Sequence, residues 1–317
     1  AAVHEGGPGV NDSPAAGPCV RKSAHDLGIP LECVRATGAH GHVTIPDLRQ
    51  YVANLRALAY RPATAGPAAA PARPAAPLPD FAAFGAIRRE PLTAMRRAIA
   101  ERMVASGTLL PTVTQFDEAD VTALNDLRKK HAPAYEARGA RLTVTSFVLK
   151  AVAAVLRKHP IFNASLDEAA GEIVFKDYVH LGLAVDTEAG LLVPVIRDAD
   201  QKDLVQLSKD IAEVAARARD RKLGLADMQG QTFTLSNQGG IGGAHFTPII
   251  NLPDAAILGL GRSVLKPVVR EGRIEPRLLM PLALTYDHRL MDGGTAARFT
   301  LDLVAALESF TEADVQL

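Results

Sequence analysis

The sequence predicts an α/β chain in which one large α+β domain follows a small all-α module. Three observations carry this. From about Asp80 to Leu317, apolar residues alternate between the 3.6-residue period of helices and the short runs of strands, with no second break in composition. Between Arg61 and Pro79, fourteen of nineteen residues are alanine or proline, which cannot bury a core and forms a semi-rigid spacer. Upstream of that spacer, Cys19 to Leu55 holds two short helical patterns. The expected organisation is a linker over 1–18, a module over 19–55, a linker over 56–79 and a domain over 80–317.

Each element has a local reason. In the module, Val20, Ala24 and Leu27 fall at i, i+4 and i+7 and are stopped by Gly28 and Pro30. After a loop with Gly38 and Gly41, Thr44 stands three residues before Asp47 with Pro46 between them. That opens a second helix with apolar Leu48, Tyr51 and Val52. At under 40 residues, such a unit suits docking better than catalysis. The spacer could reach roughly 60 Å if fully extended. In the large domain, helices are expected at Leu92–Val104, Val121–Lys130, Val144–Lys158, Leu204–Ala218 and Thr295–Phe310. Strands are expected at Val113–Phe116, Val179–Val185, Leu191–Ile196, Phe233–Ser236 and Ala256–Leu260, with a hairpin around Glu271-Gly272 and a strand over Leu278–Tyr286.

Composition limits the function classes. The 317 residues are 48% hydrophobic and 22% charged, enough for a sizeable core. Lysine plus arginine equals aspartate plus glutamate at 35 each, so no global field draws the chain to nucleic acid or a membrane surface. Cys19 and Cys33 are too few for a disulfide framework and are read as free thiols. No apolar run reaches a membrane span or a signal-peptide core. The chain opens on Ala1, not methionine, which suggests a processed or cut chain.

Three places could carry chemistry. His288 sits in DHRLMDGG at the end of a strand. Its ring admits three readings: a core histidine satisfied by hydrogen bonds, half of a metal site with Asp292, or a general base held in one orientation. Against the metal, no third ligand comes at ligand spacing, and Gly293-Gly294 put Asp292 in a turn. Ser236 ends a strand before four glycines in five residues (Gly239, Gly240, Gly242, Gly243), which allow close approach of backbone or ligand. A dinucleotide loop is the rival reading of these glycines, but GGIGG lacks the GxGxxG spacing and leads into HFTPII, not into a helix, and Ser236 by itself reads as a turn hydroxyl. Arg96 falls on the apolar face of Leu92, Ile99 and Met103, where it either snorkels or pairs with a buried carboxylate, Asp292 being the candidate.

These stretches carry a resemblance. TYDHRLMDGG, with FTLSNQGGIGG, TQFDEAD and VPVIRDAD upstream, resembles the catalytic domain of dihydrolipoyl acyltransferases, the core components of 2-oxo acid dehydrogenase complexes. VRKSAHDLGIPLECVRATGAHGHVTIPDL resembles their peripheral-subunit-binding domain. GGIGGAHFTPIINLPDAAILGLG is most similar to the acetyltransferases of pyruvate dehydrogenase complexes, with branched-chain and 2-oxoglutarate relatives less so. The resemblance implies a chloramphenicol-acetyltransferase-like fold, a mixed sheet flanked by helices, in trimers that build a larger core. It makes His288 the base for the thiol of coenzyme A, Ser236 the oxyanion donor from a neighbouring subunit, and Asp292 the anchor of the histidine loop through Arg96. It implies no metal. It also implies docking of dihydrolipoyl dehydrogenase or the pyruvate decarboxylase component through Arg21, Lys22, His25 and His42. The two histidines stand where the family often has arginine, and His245 where relatives have a small residue. The family's lipoyl domain is missing from this sequence, so the lipoyl group would arrive on a domain outside it. The implied compartment is the bacterial cytoplasm or the mitochondrial matrix. A non-catalytic scaffold subunit is the alternative of another class.

Overall fold

The computed structural model describes residues 15–59, 78–188 and 190–317; the linker reading over 1–18 and 56–79 therefore lies mostly outside the described residues. The chain divides into two compact units, one up to Arg88 and one from Arg89 onward. No helix among the described residues is long and apolar enough to cross a membrane.

In the first unit, β1 (Ala15–Ala16) pairs in parallel with β2 (His42–Val43), and α1 (Pro18–Asp26) packs with α2 (Ile45–Ala59). The expected module was all-α; the two-residue ladder is an addition. Its core is Val20, Ala24, Val34, Val43 and Leu48. Leu27, expected on the apolar face, is exposed because α1 ends at Asp26 and the chain turns through Gly28 at φ +65°. The Asp47 carboxylate fastens the unit. It accepts from the backbone N–H and hydroxyl of both Thr37 and Thr44, at 2.6–3.1 Å, which lowers its pKa to about 2.

The second unit runs α3 (Ala94–Leu109), β3 (Thr112–Asp120), α4 (Thr122–Ala137), α5 (Val144–Lys158), β4 (Ala164–Asp167), β5 (Glu172–Phe175), β6 (Leu181–Thr187), β7 (Gly190–Leu192), β8 (Val195–Ile196), α6 (Leu204–Arg219), β9 (Phe233–Asn237), β10 (Ala256–Leu260), β11 (Val264–Arg270), β12 (Arg273–Asp287), α7 (Gly293–Glu308) and α8 (Glu312–Val315). The sheet is mixed, in the order β11-β12-β10-β9-β6-β7, with β3 on the far edge of β12 and β8 also on β6. β9 is parallel to both β6 and β10, while β12 is antiparallel to β3, β10 and β11. Helices flank it. Phe299 of α7 lies at the centre of the core, its ring 4.2 Å from Phe162 and 6.1 Å from Phe233.

Several elements outrun their local signals. α3 continues past Val104 and Gly107 because Ser106 is buried and its hydroxyl donates to the Ile250 carbonyl at 2.7 Å. α4 continues through Pro133, where the buried Tyr135 donates to the Val315 carbonyl at 3.2 Å. The single strand expected over Leu191–Ile196 is split into β7 and β8 around Pro194, which has no N–H to donate to a ladder. The hairpin at Glu271-Gly272 forms as expected, with φ of 49° and 76° suited to a two-residue turn. The β4–β5 hairpin is an addition to the expected elements.

Candidate active site

β12 carries buried side chains from Met280 to Asp287 and then releases His288 into solvent. The histidine's backbone N–H donates to the Pro111 carbonyl at 2.9 Å, and its ring lies 6.0 Å from the Tyr286 ring. On either side, Asp287 and Arg289 lock together. Both carboxylate oxygens of the buried Asp287 accept from the Arg289 guanidinium, at 2.7–3.1 Å, and one also accepts the Arg289 backbone N–H at 3.0 Å. The second arm of Arg289 reaches Glu168. These bonds hold the Arg289 pKa above its ordinary value. Neither Asp287 nor Glu168 is among the site residues the sequence suggests. The pattern Asp-x-Arg around His288 was the available signal, since residues i and i+2 of an extended stretch point the same way.

Asp292 caps α7, accepting from the Thr295 N–H at 2.7 Å. That bond, with Arg298 and His288 adding smaller effects, holds its carboxyl below the usual range. Gly293 and Gly294, expected in a turn, are the first helical residues, because the cap satisfies the helix start despite them. The buried Asp292–Arg96 pair is not formed within this chain: both side chains are exposed and no ion pair joins them. The partly buried positions of α3 are Met95, Ile99, Met103 and Ala105, and Met95 and Ile99 face Gly190 of β7. Arg96 is one residue, about 100°, off that stripe.

Ser236 lies on β9, half-buried, opposite Ala184 of β6 and Gly259 of β10. Two residues earlier on the same face, the Thr234 hydroxyl donates to the buried Asp254 carboxylate at 2.5 Å. Burial pushes the Asp254 carboxyl up to about 7, against that hydrogen bond and the nearby Lys176 charge. The glycine loop closes over the sheet beside Ser236. The N–H groups of Ile241, Gly242 and Gly243 all converge on the Gln238 carbonyl, and Phe246 packs where a Cβ on Gly259 would be, at 2.8 Å. His245 is exposed, its ring edge-on to Phe116 at 6.4 Å.

Within one chain Ser236 and His288 stand at opposite ends of the sheet. Ser236 is opposite Gly259, and Gly259 is opposite Ala283, five residues before His288. That is roughly 16 Å along the strands and about 10 Å across two strand spacings. The two groups cannot touch one small reacting centre in the same chain. Among the described residues no cluster of three metal-ligating side chains occurs. The docking candidates Arg21, Lys22 and His25 on α1, and His42 on β2, are exposed on the first unit.

A mixed sheet flanked by helices, with an exposed histidine after its longest strand and a serine beside a glycine loop, describes a class of acyl-transfer domain. The chain belongs to the 2-oxoacid dehydrogenases acyltransferase (catalytic domain) family, whose model matches residues 84–314. It is 43% identical over 285 residues to the dihydrolipoyllysine-residue acetyltransferase component of the pyruvate dehydrogenase complex of Azotobacter vinelandii, covering 90% of this chain and 45% of that protein. The chain spans about half the length of the curated relatives it matches. A solved dihydrolipoamide acetyltransferase of Azotobacter vinelandii superposes with a TM-score of 0.73 at 45% identity, covering 74% of this chain and 97% of that one. In that protein the serine, histidine and asparagine investigated for their role in the catalytic mechanism are spaced 52 and 4 residues apart. A solved cubic core of the pyruvate dehydrogenase multienzyme complex matches with the same TM-score, identity and coverage.

Proposed function

We propose that the chain transfers an acetyl group from an S-acetyl-dihydrolipoyl group to coenzyme A, as a core subunit of a pyruvate dehydrogenase complex. One observation carries this: Ser236, His288 and Asp292 repeat the spacing of 52 and 4 residues found in the solved acetyltransferase, Asp292 standing in place of asparagine. The His288 ring takes the proton of the coenzyme A thiol as its sulfur attacks the thioester carbonyl. The Ser236 hydroxyl donates to the oxyanion of the tetrahedral intermediate, a charge present only after attack. Collapse breaks the carbon–sulfur bond to dihydrolipoyl, and the imidazolium returns its proton to the departing thiolate.

Because Ser236 and His288 lie at opposite ends of one sheet, each active site takes its histidine from one copy and its serine from the next, which requires a closed ring of subunits. A homotrimer, assembled further into a core, meets that requirement. The lipoyl group comes from a lipoyl domain outside these 317 residues. The first unit docks dihydrolipoyl dehydrogenase or the pyruvate decarboxylase component through Arg21, Lys22, His25 and His42. The relatives named above are bacterial, and the bacterial cytoplasm is the compartment we assign.

The test is acyl transfer between acyl-coenzyme A and free dihydrolipoamide with acetyl, succinyl and isobutyryl donors. Acetyl is expected to be fastest. A preference for isobutyryl or succinyl would move the chain to the branched-chain or 2-oxoglutarate complex, and silence with all three would make it a scaffold.

A further inference from the structure

We propose that Arg289, clamped between Asp287 and Glu168, is a positioning residue for His288, and that the β4–β5 hairpin is the fixed point to which the histidine turn is tied. The inference rests on the acetyltransferase reading for its kinetics, but its geometry is independent of it.

The His288 ring has no hydrogen-bond partner among the described residues, and its place is set by the backbone on either side. That backbone is pinned at several points. The Asp287 N–H donates to the Ala255 carbonyl at 2.9 Å, and the His288 N–H to Pro111 at 2.9 Å. The Asp287 carbonyl accepts from Leu290 at 3.1 Å and Met291 at 3.3 Å. Arg289 adds a pin that crosses to another element. Its planar fork engages Asp287 through Nε and Nη2 and leaves Nη1 for Glu168, a division of donors that a lysine cannot reproduce.

Glu168 sits just past β4, where the Asp167 carboxylate accepts from the N–H groups of Ala169 and Ala170 at 3.1 and 3.0 Å and closes the turn. The hairpin is anchored in its own right. The Ser165 hydroxyl donates to the Pro253 carbonyl at 2.5 Å, and Lys176 donates to the Ser165 hydroxyl at 2.7 Å. The clamp therefore runs from the turn that presents His288 to a hairpin fastened beside Asp254. Beside the ring stand the Asp292 carboxylate, which interacts electrostatically with it, and the Tyr286 ring.

The test compares Glu168→Gln, Arg289→Lys and wild type in the assembled protein. Glu168→Gln keeps the buried Asp287–Arg289 pair, so it spares folding while removing the charge that strengthens the tie to the hairpin. Two readouts are taken: kcat and KM for coenzyme A, and amide hydrogen exchange of a peptide spanning 286–292. Looser positioning of a general base costs turnover and not binding. Arg289→Lys is expected to lower kcat about 10-fold and Glu168→Gln a few-fold, with KM little changed and faster exchange in both. Wild-type kcat and wild-type exchange in both variants would overturn the proposal. So would a loss that appears only in KM. If wild type shows no acyl transfer but exchange still rises in the variants, the clamp stands and the acetyltransferase reading falls.

Discussion

In the proposed reaction His288 and Ser236 divide the work of one transfer, so their removal should differ in kind. His288→Ala is expected to lower acyl transfer by about 10² to 10⁴, the usual worth of a positioned general base. Ser236→Ala should cost about 10² to 10³ in kcat with KM for coenzyme A little changed, since its bond forms only with the oxyanion. Steady-state kinetics on both variants checks this, and near-normal turnover in both would take His288 and Ser236 out of the chemistry. Asp254 gives a pH signature. Its folded pKa, about 7, lies above the ordinary carboxylate value, so its contribution to stability is full below about pH 4 and is lost as pH rises to 7. Thermal melts of Asp254→Asn should show a smaller fall in stability between pH 5 and pH 8 than wild type. Arg96 and Asp292, both exposed, should behave additively when substituted singly and together, as separated sites do.

Helix caps and close-packed glycines decide whether elements seat correctly. Asp47 carries the opposite pH sign to Asp254. Its folded pKa of about 2 lies below the unfolded value, so its stabilisation is present above about pH 4 and lost as pH falls toward 2. The shift corresponds to about 2 kcal/mol for the first unit. Asp47→Asn should give up that amount at neutral pH and flatten the acid limb, read as loss of helical signal in acid titration. At the glycine loop, a Cβ on Gly261 would lie 1.9 Å from the Ala244 carbonyl oxygen. Gly261→Ala must displace that loop. It should destabilise by about 1 to 3 kcal/mol and lower kcat through the neighbouring Ser236, measured by denaturant melts and turnover.

Across the whole molecule, the separation of Ser236 from His288 makes a prediction that no single-chain enzyme shares. His288→Ala and Ser236→Ala chains, each inactive alone, should regain about a quarter of wild-type activity when dissociated, mixed equally and reassembled, because one site in four then pairs two intact groups. No recovery would mean the site is built within one chain. For docking, His25→Arg with His42→Arg should raise affinity and association rate for the peripheral enzyme at pH 7.5 and low salt, by supplying permanent charge. Calorimetry and stopped-flow binding report both, and unchanged values would place the histidines outside the interface.

The sequence by itself determined what local physics controls. Helical periodicity marked α5 and α6 to within a residue, β10 was bounded at both ends, and Glu271-Gly272 announced its hairpin. The histidine motif and the serine before the glycines were legible as composition and spacing. Only the tertiary structure decided what depends on partners far along the chain. Ser106 reaches across 144 residues to Ile250 and carries α3 past Gly107, which propensity alone would not allow. Glu168 meets Arg289 over 121 residues, a pairing that neither motif advertises. Arg96 looked inward on a helical wheel centred on Leu92, yet the stripe that packs is the one through Met95 and Ile99. Periodicity fixes the spacing of a face but not which of two overlapping faces meets the sheet. That choice belongs to packing, as does the distance between Ser236 and His288, which follows from strand order and register.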